Sequence, residues 1–294
     1  MKILVTGSAG RVGRAIYIKL MRTHQVVGLD TTPCSTVDIV GDIRDKETVN
    51  KALDGVKVVV HTAALHAPHV GIASEEDFQS INVDATKQLA LQGLQNGIEH
   101  FVFTSTTALY GHASTPKGTA GWIDEKTTPQ PKSIYHRSKI AAENGLKEIS
   151  DLFNLPVTVL QMSRCFPEPV DLMAIYRLNR GVDARDVASA HLCALDKRLN
   201  GFHRFIISGK TPFDASHCQR LFTSANSLVK ELQPQVAVAF EERGWGLPKT
   251  LDRVYDSSAA QQYLDWQPKY GFESVLEMYD QELAEVLPTI KRCP

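Results

Sequence analysis

A tyrosine and a lysine four residues apart, in Tyr135-His136-Arg137-Ser138-Lys139, carry the first chemical signal of this 294-residue sequence. On a helix that spacing puts both side chains on one face. A free phenol is a poor base, with a pKa of about 10. A neighbouring ammonium favours the phenolate, so the phenol can exchange a proton near neutral pH. The same spacing is common on solvated helices, so its position in the fold matters more than the pattern. A second group is rich in hydroxyls: Phe103-Thr104-Ser105-Thr106-Thr107-Ala108-Leu109-Tyr110-Gly111. Hydroxyls at the C-terminal end of a parallel strand point into the crevice where ligands bind, and one of them can hold a reacting oxygen. The alternative is a threonine-rich strand end that satisfies its own backbone.

The third group is Gly7-Ser8-Ala9-Gly10-Arg11-Val12-Gly13, between an apolar run and a helical pattern. Gly7 allows a tight turn, Gly10 lets the backbone approach a pyrophosphate, and Gly13 lets helix and strand pack closely. The helix N-terminus, with Arg11 and Val12, offers N–H groups and a positive dipole end to phosphates. Asp30 lies twenty residues beyond Gly10 at the end of the next apolar run. A carboxylate there accepts hydrogen bonds from ribose hydroxyls and repels a 2′-phosphate, which favours NAD over NADP. Arg11 and Arg14 keep NADP open, since an arginine welcomes that phosphate. Asp42-Ile43 could hold the adenine edge or form a surface turn. The small residues Thr62, Ala63 and Ala64 after His61 let the chain pass close to a dinucleotide.

These groups need rigid elements behind them. Ile3 to Val5, Val26 to Leu29, Val37 to Val40, Val56 to His61, Phe101 to Phe103 and Val157 to Leu160 read as strands. Val12 to Arg22, Asp45 to Leu53, Phe78 to Asn96 and Ser133 to Phe153 read as helices between them. Such alternation makes βαβ units and a parallel sheet covered on both faces. The expected fold is α/β, a Rossmann doubly wound sheet with a smaller C-terminal substrate-binding lobe. Residues 1–165 form the nucleotide-binding part, and 183–208 return to it as a helix (Asp183 to Ala194) and a strand (Arg204 to Ile207). Residues 166–182 and 209–294 form the lobe.

In their order and spacing, Gly7-x-x-Gly10-x-x-Gly13, Asp30, Asp42, His61-Thr62-Ala63-Ala64, Asn82-Val83-x-x-Thr86, Thr104-Ser105-Thr106 through Tyr110-Gly111 and Tyr135-x-x-x-Lys139 resemble the extended short-chain dehydrogenases/reductases, the NAD-dependent epimerase/dehydratase group. The resemblance covers the first 165 residues or so and continues weakly through Asp183 to Ala194 and Asp256 to Pro268. It implies Tyr135 as acid/base, Thr106 as its hydroxyl partner, Lys139 as ribose ligand and pKa tuner, and Asn82 as the family's asparagine on the long central helix, counted with the cofactor residues. The 4,6-dehydratases carry Thr-Asp-Glu where this chain has Thr106-Thr107-Ala108, which disfavours dehydration. The short Ser163-Arg164-Cys165-Phe166-Pro167-Glu168-Pro169 connection partly resembles the uronate dehydrogenase branch, although Gly209 to Leu251 is longer than that branch leads one to expect. The Arg-x-Gly-Asp phosphate contact of the epimerases is missing, and Arg253 is the nearest basic candidate.

The first expectation is therefore an NAD-dependent dehydrogenase acting on a hydroxyl of a sugar or sugar acid. A sugar or sugar-nucleotide epimerase is the alternative, and a dinucleotide sensor without turnover is disfavoured because Tyr135 and Lys139 are both present. Arg164, Arg177 or Arg180 could pair with a substrate carboxylate, His66 could reach substrate, and Thr107 stands beside them; each could equally be an ordinary surface or structural residue. His61, His66 and His69 lack metal-site spacing, so no metal is expected. Trp245-Gly246-Leu247-Pro248 reads as lobe core rather than pocket lining. The net charge of −1 gives no basic footprint for nucleic acid or a membrane surface. No apolar run is long enough to span a bilayer, and Gly7 and Gly10 interrupt any signal-like start. Five scattered cysteines without C-x-x-C suit reduced thiols and a cytoplasmic setting. The resemblance implies that the two long helices, Phe78 to Asn96 and Ser133 to Phe153, pair two copies as a homodimer, although the same apolar faces could be spent on the sheet.

Overall fold

The computed structural model describes residues 1–289. Its elements are β1 (Lys2–Thr6), α1 (Arg11–Leu20), β2 (Gln25–Asp30), β3 (Ile39–Val40), α2 (Lys46–Leu53), β4 (Val58–His61), α3 (Glu75–Phe78), α4 (Ala85–Gln95), β5 (His100–Thr106), β6 (Gly121–Ile123), α5 (Ile134–Phe153), β7 (Val157–Met162), α6 (Val170–Asn179), α7 (Ala184–Lys197), β8 (Phe202–Ile207), α8 (Cys218–Leu232), α9 (Pro234–Glu242), β9 (Arg253–Tyr255), α10 (Ser258–Leu264) and α11 (Phe272–Asp280). Seven strands form one parallel sheet in the order β3-β2-β1-β4-β5-β7-β8. The strand order reverses between β1 and β4, which opens a crevice at their C-terminal ends.

The alternation of strand side chains builds the two cores. Ile3, Val5, Val58, Val60 and Val102 face one layer with α1, α7 and Trp266. Leu4, Leu29, Val59, Phe101 and Phe103 face the other, with α2, α4 and α5. Each fully buried aliphatic side chain contributes about 1.5–3 kcal/mol relative to exposure, so a strand buried on both faces is fixed in register. β8 takes the sheet edge beside β7, as its apolar sequence suggested. Trp266 donates from Nε1 to Asp186 O at 3.2 Å and Ser189 Oγ at 2.9 Å, and the Asp186 carboxylate accepts from the backbone of Lys269 and Tyr270. These bonds tie the segment after α10 to α7.

Three details depart from the sequence reading. The Val37 to Val40 strand is only two residues long, because Asp38 turns inward and accepts from Gly28 N at 2.7 Å and Tyr17 Oη at 3.2 Å. The long central helix starts earlier, at Glu75, with Ser74 and Asp77 forming a capping box. It also widens into a π-helical stretch, Gln79–Asp84, before α4. Finally, the expected division along the chain is interrupted. β6, from the first half, pairs with β9, and Ala120 joins the core of α6, α8, α9 and α11. Trp245 and Leu247 pack against that same core. Among the described residues Cys34, Cys165, Cys193 and Cys218 are free thiols, while Cys293 lies outside them. Among the same residues no helix is long and apolar enough to cross a membrane.

Candidate active site

A cleft of about 620 Å³ runs across the C-terminal ends of the central strands, within the usual size range of small-molecule sites. Gly7, Gly10, Arg11, Val12, Gly13, Asp30, Asp42, Ile43, Thr62, Ala63 and Ala64 line one end. Gly7 has φ +71, and a Cβ there would come within 2.6 Å of Thr62 Oγ1. A Cβ on Gly13 would overlap the Gly7 carbonyl. Both glycines are required by backbone packing. Gly10 is the N-cap of α1 and has no side-chain cap, so the first N–H groups of the helix are left for a ligand. The Arg11 Nε is buried without a partner, while its guanidinium end pairs with Glu285. A glycine cradle, an uncapped helix start and an orphaned guanidinium nitrogen fit a dinucleotide's pyrophosphate.

The rest of this end is pinned by local hydrogen bonds. Asp30 accepts from Ala9 N at 3.0 Å and Thr32 N at 2.9 Å, so its carboxylate is fixed at the mouth of the cleft. Asp42 is chelated by Arg44, whose hydrogen bonds hold its carboxyl below the usual range against the opposing effect of burial. Thr62 donates to Thr6 O at 2.7 Å, which leaves the small faces of Ala63 and Ala64 toward the cavity. Arg14 turns to Ala9 O at 3.2 Å and does not line the cleft.

Thr104, Ser105, Thr106, Thr107, Tyr135 and Lys139 line the middle of the cleft. Ser133 caps α5 and sets the first turn that carries Tyr135. Lys139 is 3% exposed, donates from Nζ to Thr104 O at 2.7 Å and lies 4.0 Å from the centroid of the Phe103 ring. Thr106 accepts from Ala108 N at 3.1 Å, which starts the 3₁₀ turn after β5, and it lines the cleft together with Tyr135. Burial pushes the Tyr135 phenol up to about 12, with the Thr106 side chain pulling the other way. Burial pushes Lys139 down to about 7, and the Glu143 carboxylate opposes it. The pair is thus poised so that nearby charge decides which group holds a proton.

Asn82 and Arg177 fall elsewhere. Asn82 does not line the cleft; its amide grips Leu65 through the backbone N and O, each at 2.8 Å, and donates to Ser138 Oγ at 3.0 Å. It fixes the loop after β4 to α5, and the π-helical stretch delivers it there. Arg177 is 2% exposed and paired with Asp183, so it is a buried structural arginine. His61 is likewise internal, between Thr6 Oγ1 at 2.6 Å and Thr86 Oγ1 at 2.8 Å, and burial pulls it down to about 3.

At the far end the cleft is lined by His66, Arg164, Arg180 and Arg253, with His69, Phe166 and Tyr255 beside them. Arg164 pairs with Glu168, and Arg180 and Arg253 both reach Asp252. Arg253 also donates to Ser114 Oγ at 3.0 Å, and Tyr255 Oη donates to Thr107 O at 3.4 Å. His66 stacks on Phe166 and meets His69 edge-on. The sequence reading missed Tyr255 and Phe166. The alternation Arg253-Val254-Tyr255, two polar-tipped residues flanking an apolar one, is the only local signal for the first, and nothing local marks the second.

Residues 3–168 match the model of the NAD dependent epimerase/dehydratase family. An NAD-dependent glucose-6-phosphate dehydrogenase of Haloferax volcanii is 30% identical over 159 residues, 48% of this chain and 60% of the relative. A UDP-glucose 4-epimerase of Rhizobium meliloti is 25% identical over 329 aligned positions, 94% of each chain. Among relatives at 30–32% identity, the matched stretch spans 39–60% of their length. The crystal structure of a short-chain dehydrogenase/reductase superfamily protein from Agrobacterium tumefaciens, with bound NAD, superposes with TM-score 0.72 at 20% identity, covering 97% of this chain and 99% of that one. The glycine cradle, the Tyr135–Lys139 pair and a family match over more than half the chain lead to one assignment: the chain belongs to the NAD-dependent epimerase/dehydratase family of extended short-chain dehydrogenases/reductases.

Proposed function

We propose that this enzyme is an NAD-dependent oxidoreductase that oxidises a hydroxyl of a sugar or sugar acid by tyrosine-assisted hydride transfer. The observation that carries this reading is that Thr106, Tyr135 and Lys139 line the same cleft as Arg164, Arg180 and Arg253. A polyhydroxyl substrate with an anionic group suits such a combination, because guanidinium pairs with carboxylate or phosphate bidentately. The glucose-6-phosphate dehydrogenase among the relatives is an NAD enzyme whose sugar substrate is anionic.

NAD, when bound, supplies the hydride acceptor and a positive charge. Gly7, Gly10, Gly13 and Arg11 would hold its pyrophosphate, and the fixed Asp30 carboxylate would take its adenosine ribose and turn away NADP. Tyr135 takes the hydroxyl proton of the substrate, Thr106 steadies the oxygen that loses it, and the Lys139 ammonium favours the phenolate form of Tyr135. With its phenol pushed up to about 12, Tyr135 needs that neighbouring positive charge to act at neutral pH. Thr107 and His66 complete the substrate wall, and two copies pair through α4 and α5.

A sugar-nucleotide epimerase is the second reading. It is favoured by the match along 94% of the rhizobial UDP-glucose 4-epimerase, whereas the short 163–169 connection favours simple oxidation. Incubation with NAD, or separately NADP, and a panel of uronic acids, aldoses, sugar phosphates and sugar nucleotides separates the two. Steady NADH formation that is lost in Tyr135→Phe supports the dehydrogenase. Interconversion of sugar nucleotides with NAD retained and no net NADH overturns it in favour of the epimerase. Oligomeric state by light scattering tests the pairing of two copies.

A further inference from the structure

One buried charge beneath the cleft has no part in the chemistry above. Glu143 lies one helical turn beyond Lys139 on α5, and its side chain is 4% exposed. Four hydrogen bonds converge on its carboxylate. Ser105 Oγ donates at 2.5 Å, Gln161 Nε2 reaches both oxygens at 2.9 and 3.0 Å, and Arg204 Nε donates at 2.7 Å. Gln161 is itself held by Tyr110 Oη at 2.8 Å. A carboxylate in the interior persists only with such compensation. Three strands, β5, β7 and β8, supply it. Tyr135, Lys139 and Glu143 are spaced four and eight residues along one helix and so share a stripe.

We propose that Glu143 is a positioning residue of this site: its clamped carboxylate keeps Lys139 in the charged form that Tyr135 requires and ties the end of β5 to the helix that carries them both. The tie is geometric. Ser105, which donates to Glu143, stands between Thr104, whose carbonyl receives Lys139 Nζ, and Thr106, which lines the cleft beside Tyr135. The charge argument follows from the other groups around Lys139. His61 of β4 and His191 of α7, the latter bonded to Thr104 Oγ1 at 2.7 Å, are both held neutral by burial. Phe103 offers only its ring face, and Tyr135 carries a proton until it reacts. Glu143 is the anion among these neighbours, and it is the group that opposes the loss of the Lys139 proton. Arg204, at 35% side-chain exposure, is better screened by solvent than Glu143, so it offsets the carboxylate's field inside the protein only in part.

The inference rests on Tyr135 and Lys139 being the proton-handling pair, but it can be tested without turnover. Trace acetylation of the full-length protein over the neutral and alkaline range, read at Lys139 by mass spectrometry, reports its charge directly. Glu143→Gln keeps the shape and removes the charge; its amide oxygen can still accept at one of the two oxygen positions, while the bonds at the other are lost. Lys139 should then become reactive about one pH unit lower, a tenfold change in proton affinity. Arg204→Met, on the exposed side of the network, should move it in the opposite direction by freeing the carboxylate's field. An unmoved Lys139 titration in either variant overturns the proposal. If Glu143→Gln does not fold, Arg204→Met decides alone. With a turning-over substrate, the pH profile of kcat/KM should shift in the same direction for each variant, whereas an equal loss at every pH would mean a purely structural role. Should no substrate be oxidised while the Lys139 titration still moves, the oxidoreductase reading has failed and the charge coupling stands.

Discussion

At the glycine end of the cleft every wall residue comes from a strand and the turn that directly follows it, whereas the arginines at the far end come from three separated segments. Gly7 to Gly13 follow β1, Asp30 closes β2, Asp42 and Ile43 follow β3, and Thr62 to Ala64 follow β4. Arg164, by contrast, follows β7, Arg180 ends α6 and Arg253 opens β9. They meet because Arg164 exchanges backbone bonds with the segment 180–182 (Arg164 N to Arg180 O at 3.0 Å, Val182 N to Arg164 O at 2.9 Å) and because Asn179 donates to Arg253 O at 2.9 Å. The first end is a repeated local device, while the second is an assembly of tertiary contacts. The lesson is that the glycine end of this cleft can be written in short motifs, and the arginine end cannot.

The largest effect that could break this comparison is acid. His61, His100 and His191 belong to β4, β5 and α7, within the sheet half, and burial pulls them down to about 3, 4 and 4. Their folded pKa values lie below the unfolded value, so the unfolded chain binds more protons as pH falls below about 6.5. Stability is full above that pH and falls by up to about 4 kcal/mol per unit of pH toward pH 4. Hydrogen exchange against pH should show the amides of the sheet half losing protection as steeply as those of the lobe core. A lobe that opens well before the sheet would show that the two halves are less coupled than their shared cleft implies.

Next in size is Tyr135→Phe, which should lower turnover by about 10²–10⁴-fold with NAD binding kept, read by kinetics and calorimetry. The far end is probed by Arg253→Ala. Losing a charged hydrogen bond to an anionic substrate costs about 1.5–3 kcal/mol, so KM should rise about ten- to hundredfold while NAD affinity holds. A neutral sugar derivative that shows no such rise would sharpen the assignment of Arg253 to an anionic group. Least affected should be Ser74→Ala, which removes a local cap: about 1 kcal/mol of stability by chemical denaturation and no change in KM.

The sequence by itself determined the parallel sheet, the glycine cradle, Asp30 and the Tyr135–Lys139 pair. Each depends on neighbours within a few residues: a side-chain period of two in a strand buried on both faces, a left-handed turn at Gly7, a four-residue step on α5. Only the tertiary structure decided that Asn82 braces the loop at Leu65 rather than lining the cleft, since a π-helical widening that no residue pattern announced turns it there. Only the fold separated three similar arginines on and around α6, sending Arg177 inward to Asp183 and Arg164 and Arg180 to the cleft. Only the fold brought β6 across to β9, and Ser105, Gln161 and Arg204 onto Glu143. The physical reason is the same in each case. Backbone geometry and burial period are set by adjacent residues, whereas the partner of a charged or polar side chain is set by whichever distant segment the packed core carries to it.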